Sequence, residues 1–161
     1  MIIIADTSPI CYLILINAID LLPKLYGKVL IPNAVYQELR SPKSPAEVQQ
    51  WMNSVPDWLE IHADSNTNDE QTKILDRGER EAIALAEKIN ADLIIMDEKL
   101  GRSIAKEKGF NLVGILGILY NAAQLDLIDL SQAFNKLQKT TFFVSPKLLN
   151  ILLEKDKQNR Q

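Results

Sequence analysis

Short apolar runs alternate with amphipathic stretches along this chain, a pattern typical of alternating strands and helices. The chain opens with MIIIA, which Asp6 and then Thr7, Ser8 and Pro9 follow. An unbroken, β-branched apolar run predicts a strand buried on both faces of a parallel sheet. Ser8 before Pro9 predicts a helix start with Ser8 as its N-cap. Asp6 therefore falls between a buried strand and a helix, at the edge where open α/β sheets bind ligands.

The rest of the pattern continues the alternation. Further strands are predicted at 28–32, 58–62, 92–97, 111–114 and 140–144, with 58–62 either half-exposed or at an edge of the sheet. Helices are predicted at 8–18, 19–26, 33–41, 46–54, 78–91, 98–109, 114–125, 129–139 and 146–154. The polar residues 63–76 predict a loop. The expected fold is α/β, with three α/β/α layers around a central, mainly parallel sheet of four or five strands.

Length and composition favour one domain. The 161 residues are 47% apolar and 24% charged, which is ordinary for a globular protein. We expect a main domain over residues 1–145, followed by a C-terminal helix and a frayed tail over 146–161. A single cysteine, Cys11, excludes a disulfide framework, and no apolar run is long enough to span a membrane. A cytoplasmic location is therefore expected, without a membrane partner.

Charge is distributed unevenly. Residues 1–98 carry 16 acidic and 8 basic residues, a net charge of −8, whereas residues 99–161 carry 5 and 10, a net charge of +5. This asymmetry fits a site that binds cations beside a polyanion, although ordinary solvated faces explain the counts equally well. His62 is the single histidine, which argues against a zinc site.

Several acids fall at equivalent places in the pattern. Asp97 closes a second buried strand, as Asp6 closes the first, and Glu38 flanks the apolar face of the helix at 33–41. Glu79 and Glu81 lie in the first turn of the helix at 78–91, where the helix dipole alone would explain them. They diverge by about 200°, so only one of the two shares the inward face.

Clustered carboxylates would need a counter-charge. Two of them about 5 Å apart repel by roughly 3 kcal/mol at an effective dielectric near 20. Oxygen ligands with little histidine or cysteine suit Mg²⁺ or Mn²⁺, which lowers the pKa of a bound water and holds a phosphate. Lys99 and Arg102, on the cation-rich helix at 98–109, are the expected phosphate contacts.

Four motifs in order give the chain a resemblance to PIN domains. They are DTSP, VYQEL, GEREAIALA and IIMDEKLGRSIAKEKGFNLVG. The chain is most similar to a bacterial and archaeal PIN-like subgroup with DTSP, GE-x-EAI-x-LA and a G-x-L-G-x-L helix, here Gly114–Leu119. The resemblance covers roughly residues 2–145. The resemblance implies a fold similar to metal-dependent nucleases of the FLAP type. Many PIN domains are ribonuclease toxins of the VapC kind, each paired with an antitoxin.

The resemblance also implies site residues. Asp6, Glu38 and Asp97 match three of the family's four acidic positions, and Glu79, five residues before Ala84–Ala86, is chosen for the fourth. Glu81 is the second choice. Glutamate at that position and Met96, where threonine often precedes the last aspartate, depart from the commonest pattern and put metal affinity in doubt. Ser8 is expected to orient Asp6 or a metal-bound water.

Three functions are compatible with these residues. The preferred one is a Mg²⁺- or Mn²⁺-dependent endoribonuclease, the toxin of a type II toxin–antitoxin pair that binds RNA and an antitoxin protein and forms a homodimer. The alternative is a catalytically weak PIN-fold module that binds RNA or protein. A phosphoryl-transfer domain of the receiver or dehalogenase type is disfavoured, because no second acid stands two residues after Asp6 and no acidic pair precedes the first strand.

Overall fold

The computed structural model describes residues 1–160 and contains one parallel sheet. Its strands are β1 (Ile3–Ala5), β2 (Val29–Pro32), β3 (Leu59–His62), β4 (Leu93–Ile95) and β5 (Leu112–Val113). Their order is β3-β2-β1-β4-β5, and every pair is parallel. The carboxyl ends of all strands therefore meet at one edge of the sheet, and β1 lies at its centre. β3 is an edge strand, as its alternating sequence predicts.

Helices cover both faces of the sheet. They are α1 (Thr7–Leu15), α2 (Leu21–Tyr26), α3 (Asn33–Arg40), α4 (Ala46–Trp51), α5 (Arg77–Ile89), α6 (Lys99–Glu107), α7 (Ile115–Gln124), α8 (Leu130–Gln138) and α9 (Pro146–Asn159), with a short 3₁₀ turn at Glu70–Thr72. None of those within residues 1–160 is both long and apolar enough to cross a bilayer.

Side-chain alternation divides the core into two layers. Ile3 and Ala5 of β1 join the larger apolar cluster, which includes residues of α1, α7 and α8. Ile4 joins the smaller cluster, to which α5 and α6 contribute Ala82, Ile83 and Ile104. Both faces of β1 are fully buried, because a parallel sheet carries helices on each side. The three-layer α/β/α prediction is confirmed, with five strands.

Strand register brings the two strand-end acids to the same edge. Ala5 of β1 stands opposite Ile95 of β4, and the backbone N–H of Asp6 donates to the Ile95 carbonyl at 2.9 Å. Asp97 follows two residues beyond Ile95, so β4 ends earlier than the predicted 92–97. Asp6 and Asp97 thus leave adjacent strands at the carboxyl end of the sheet.

Two local predictions are wrong. α1 begins at Thr7, so its N-cap is Asp6 rather than Ser8, and Pro9 lies in the first turn. Residues 140–144 form no strand. Thr140 accepts a hydrogen bond from the Phe142 N–H at 3.2 Å, and its hydroxyl donates to the Leu137 carbonyl, which makes a local turn after α8. This turn uses the Phe142 N–H, which a strand would need for pairing.

The frayed tail is also wrong for the described residues. α9 continues to Asn159 and packs against α7 and α8. Asp156, 8% exposed, accepts a hydrogen bond from Gln124 Nε2 at 2.6 Å and pairs with Arg160. Arg160 also pairs with Asp126 and donates to the Ala123 carbonyl. Gln161 lies outside the described residues.

These contacts predict that the last turns of α9 stabilise the fold. A chain that ends at Glu154 should lose about 1–3 kcal/mol of unfolding free energy, because Gln124 and the Ala123 carbonyl lose their partners. Urea denaturation measures this loss. Lys157→Ala, a change at an exposed position of the same turns, is the matched control and should leave the midpoint unchanged. An unchanged midpoint in the truncated chain would contradict the packing of this segment.

Candidate active site

Asp6 is the acid at the centre of the site. Its residue is 3% exposed, and its side chain accepts no capping hydrogen bond from α1. Burial, in the first place, raises the pKa of the Asp6 carboxyl from 3.8 to about 7. The adjacent backbone N–H of Thr7 lowers this pKa, and the charges of Asp76, Glu38 and Asp97 raise it further. Asp6 therefore lies within electrostatic reach of three other acids.

Glu38 is held from two sides. Its Oε2 accepts a hydrogen bond from the Thr7 hydroxyl at 2.6 Å, and its Oε1 accepts one from the backbone N–H of Gly78 at 2.9 Å. A Cβ at Gly78 would clash with Oε1, so glycine lets the first turn of α5 approach the carboxylate. Glu38 therefore joins α3 to the starts of α1 and α5, rather than extending into solvent.

Asp97 has one oxygen bound and one without a partner. Its Oδ1 accepts a hydrogen bond from the Ile115 N–H at 3.0 Å, and a Cβ at Gly114 would clash with this oxygen. Its Oδ2 is buried and has no hydrogen-bond partner among the described residues. Burial raises the pKa of Asp97, whereas the Ile115 hydrogen bond and the charge of Arg102 lower it. A buried oxygen that lacks a donor is destabilising unless a proton or a cation binds it.

Glu79 lies in the first turn of α5, close to the same acids. Its backbone N–H donates to Asp76 Oδ1 at 2.9 Å, which caps the helix. Burial is the largest cause that raises the pKa of the Glu79 carboxyl to about 8, followed by the charges of Asp76, Asp6 and Glu98 and a hydrogen bond with Asp76. At neutral pH Glu79 is therefore mostly protonated in the absence of a cation.

Glu81 is placed elsewhere. It is buried, and its two carboxylate oxygens accept hydrogen bonds from the N–H groups of Ser65 at 2.8 Å and Asn66 at 3.1 Å. It therefore fixes the loop after β3 to α5. The structure brings Glu79, rather than Glu81, into electrostatic contact with Asp6, in line with the angular divergence of the two positions.

Two acids near the site were not singled out from the sequence. Asp76 caps α5 and raises the pKa of both Asp6 and Glu79. Glu98 caps α6, where it accepts from the Gly101 N–H at 2.6 Å, and its charge raises the pKa of Glu79. The signal for Asp76 was available, since an acid three residues before a glutamate at a helix start is a capping pattern. For Glu98, only its position directly after Asp97 pointed to the site.

The predicted accessory residues differ in their surroundings. The hydroxyl that contacts Glu38 belongs to Thr7, and the role predicted for Ser8 stays a prediction. Arg102 Nη1 donates to the Met96 carbonyl at 2.7 Å, so this guanidinium supports the backbone beside Asp97. Lys99 is exposed at the start of α6. Of these two cations, Lys99 is exposed and Arg102 is partly buried.

The chemistry of the acids suits a hard divalent cation, with a limited number of protein ligands. Among residues 1–160, no three histidine, cysteine, aspartate or glutamate side chains are close enough to bind one ion together. Mg²⁺ in proteins commonly takes one or two carboxylates and completes its shell with water and substrate phosphate. Asp6 and Asp97, at the ends of adjacent strands and with a free oxygen on Asp97, fit this smaller donor set.

The contact between Gly78 and the Glu38 carboxylate predicts that Gly78→Ala has opposite effects on stability with and without Glu38. Gly78→Ala should destabilise the protein by about 1–2 kcal/mol, because the new Cβ displaces the Glu38 carboxylate from its two donors. In a Glu38→Ala background the same change should stabilise by about 0.5–1 kcal/mol, the helix preference of alanine over glycine. Chemical denaturation of the four proteins measures both values. Equal effects in the two backgrounds would contradict the contact.

The raised pKa values predict a pH-dependent stability. The folded state binds more protons than the unfolded state between about pH 4 and pH 8, so unfolding free energy falls as pH rises through this range. With chelator present, Tm should fall by at least about 5 °C from pH 5 to pH 8.5. Asp6→Asn should reduce this fall and raise Tm at pH 8.5. Differential scanning calorimetry tests this, and identical profiles for the two proteins would contradict it.

Comparison with known proteins gives one match. A family model described as a PIN domain matches residues 2–158. The match includes α9 as well as the strands and helices that carry the acids. No curated protein and no solved structure matches the chain. Because the matched residues span nearly the whole chain and include every acid of the site, this chain belongs to the PIN domain family.

Proposed function

We propose that this protein is a Mg²⁺- or Mn²⁺-dependent endoribonuclease that hydrolyses RNA phosphodiester bonds. One observation carries the proposal: Asp6 and Asp97 meet at the carboxyl edge of the sheet, and a buried oxygen of Asp97 lacks a partner. PIN domains are generally nucleases, which supports a hydrolase. The choice of RNA as substrate rests on the sequence resemblance to ribonuclease toxins.

Each acid has a separate role in the proposed site. Asp6 and Asp97 would hold the cation, and Glu38, fixed by Thr7 and Gly78, adds negative charge near Asp6. The raised pKa of Glu79 favours its protonated form, which limits the charge repulsion around Asp6. When bound, the divalent cation supplies a water of lowered pKa and neutralises charge on the phosphate. Arg102 holds the Asp97 backbone in place through Met96.

Replacement of Asp6 tests the catalytic proposal. Asp6→Asn should reduce Mn²⁺-dependent cleavage of RNA by roughly 100-fold or more, because it removes a ligand charge rather than an outer contact. Tm should stay unchanged or rise, since like-charge repulsion falls. Asp20→Asn, at an exposed position before α2, is the matched control. Cleavage retained by Asp6→Asn would exclude the role assigned to Asp6, and a clear drop in Tm would contradict the clustering of the acids.

The salt dependence of RNA binding tests the predicted phosphate contacts. Replacing Lys99 and Arg102 together with alanine should lower the slope of log K against log salt by about 1.4, or about 0.7 per lost contact to a single strand. Lys99→Ala alone should account for half of this change. Lys24→Ala, an exposed change on α2, is the control. An unaltered slope would place the RNA path elsewhere.

A catalytically weak binding module is the second candidate. It is favoured by the absence, among residues 1–160, of three acids that surround one ion. Isothermal titration of the protein with Mn²⁺ separates the two functions. Micromolar binding that Asp97→Asn abolishes supports the nuclease, whereas a lack of measurable binding together with retained RNA affinity supports the module.

We further propose the toxin role, with a cognate antitoxin protein and a homodimer as partners. The apolar helices α1 and α7 direct Ile10, Leu13 and Ile118 into the core of the chain, and Leu125, 63% exposed, directly follows α7. Growth arrest on expression of the chain, relieved by Asp6→Asn, supports the toxin role. Sedimentation equilibrium measures the oligomeric state.

A further inference from the structure

A groove lined by both apolar and polar residues begins at Asp97. It has a volume of about 570 Å³ and lies between the β5–α7 junction and the segment that joins α8 to α9. Asp97 and Arg102 line one part of it, and Val113, Gly117, Phe143 and Leu148 line the rest. We call it the Phe143 groove. It is continuous with the site already described, because Asp97 belongs to both.

Phe143 is the most unusual side chain of this groove. Two phenylalanines follow each other in the chain, yet they have opposite environments. Phe142 packs edge-on against Tyr12, with ring centroids 5.1 Å apart, and lies in the core periphery. Phe143 is 92% exposed. Because Phe142 fixes the backbone of this segment, the neighbouring ring is held outward at the groove while its own faces remain free.

The other wall of the groove combines glycine backbone with apolar side chains. Gly114 and Gly117 lie in it beside Val113, Leu116 and Leu148. A Cβ at Gly117 would lie 2.7 Å from Val113 Cγ2. Gly117 therefore cannot gain a side chain without displacing Val113. The exposed Phe143 ring beside this apolar wall suits a planar, aromatic occupant, which can stack on the face of the ring.

We propose that the Phe143 groove binds a nucleobase of single-stranded RNA, which stacks on the Phe143 ring next to the scissile phosphate. The inference rests on the proposed nuclease function and names a part of the substrate. An occupant that adjoins Asp97 must tolerate the negative charge there, and an uncharged base does so because Arg102 lies beside that carboxylate. Only unpaired bases expose their faces for stacking, so the groove selects single strands over duplexes.

Equilibrium binding in EDTA tests the groove independently of catalysis. The probe is a fluorescein-labelled single-stranded RNA, and the readout is fluorescence anisotropy. Phe143→Ala should weaken binding roughly 10-fold, the scale of one lost base–aromatic stack, and Phe143→Tyr should restore most of the affinity. Ile74→Ala removes another exposed apolar side chain, 70% exposed and outside the groove, and should leave affinity unchanged.

An abasic scan assigns the loss to a base. The same RNA is prepared with one abasic nucleotide at each position in turn. One position should lose about as much affinity as Phe143→Ala, and the two changes together should cost no more than either alone, because they remove the same contact. Additive losses at every position would overturn the proposal.

The remaining outcomes separate this inference from the nuclease proposal. If the protein binds RNA through Phe143 in a base-dependent way and yet fails to cleave it with Mn²⁺, that result supports the base-binding groove and excludes the nuclease proposal. If Phe143→Ala cleaves RNA and binds it with wild-type affinity, the proposed base-binding groove is excluded and the nuclease proposal stands. Concentration-dependent self-association that Phe143→Ala abolishes, without a change in RNA affinity, would make the ring a contact between copies of the chain and would overturn the proposal.

Discussion

The burial of several carboxyl groups at one edge of a parallel sheet is the constraint on which the rest of this structure depends. Asp6 is almost wholly removed from solvent, and the charges of Asp76, Glu38 and Asp97 add to the cost of ionising it. Hydrophobic residues pack on both faces of β1 and fix the strand in place. Asp6, which directly follows this strand, therefore cannot move away from the other acids. The protein therefore accommodates these charges with protons, with backbone donors or with a cation.

Backbone N–H groups stabilise two of these carboxylates. Gly78 and Ile115 each donate an N–H to a carboxylate oxygen, and both lie in the first turn of a helix. Such N–H groups have no partner inside the helix and carry partial positive charge. The starts of α5 and α7 are thus part of the electrostatics of the site as well as of the fold. Asp97 Oδ2 is the oxygen that this arrangement leaves for an external partner.

The sequence predicted the layers and most element positions, because buried strands and amphipathic helices have distinct periods. It did not predict the turn after α8, where the Thr140 side chain takes the backbone N–H that a strand would use. The helical end of α9 was also missed, since its stability comes from Asp126 and Gln124, more than 30 residues away. Contacts over such distances leave no periodic signal.

Within the site, Asp6 and Asp97 were predictable from their places after apolar runs, once β1 and β4 were taken as neighbours. The separation of Glu79 from Glu81 followed from helix geometry. The partners of Glu38 could not be predicted, because Thr7 and Gly78 lie on elements whose packing depends on the whole fold. Asp76 was hidden at the end of a polar loop, although its capping pattern was present.

The two glycines that face carboxylates carry a consequence for how such a protein diverges. At Gly78 and Gly114 a methyl group is excluded by an oxygen of Glu38 or Asp97 rather than by the backbone fold. Once a descendant no longer needs those acids, the steric restriction disappears and alanine or serine becomes acceptable at both places. Intact acids beside substituted glycines would therefore mark a lineage in which the chemistry has already been abandoned.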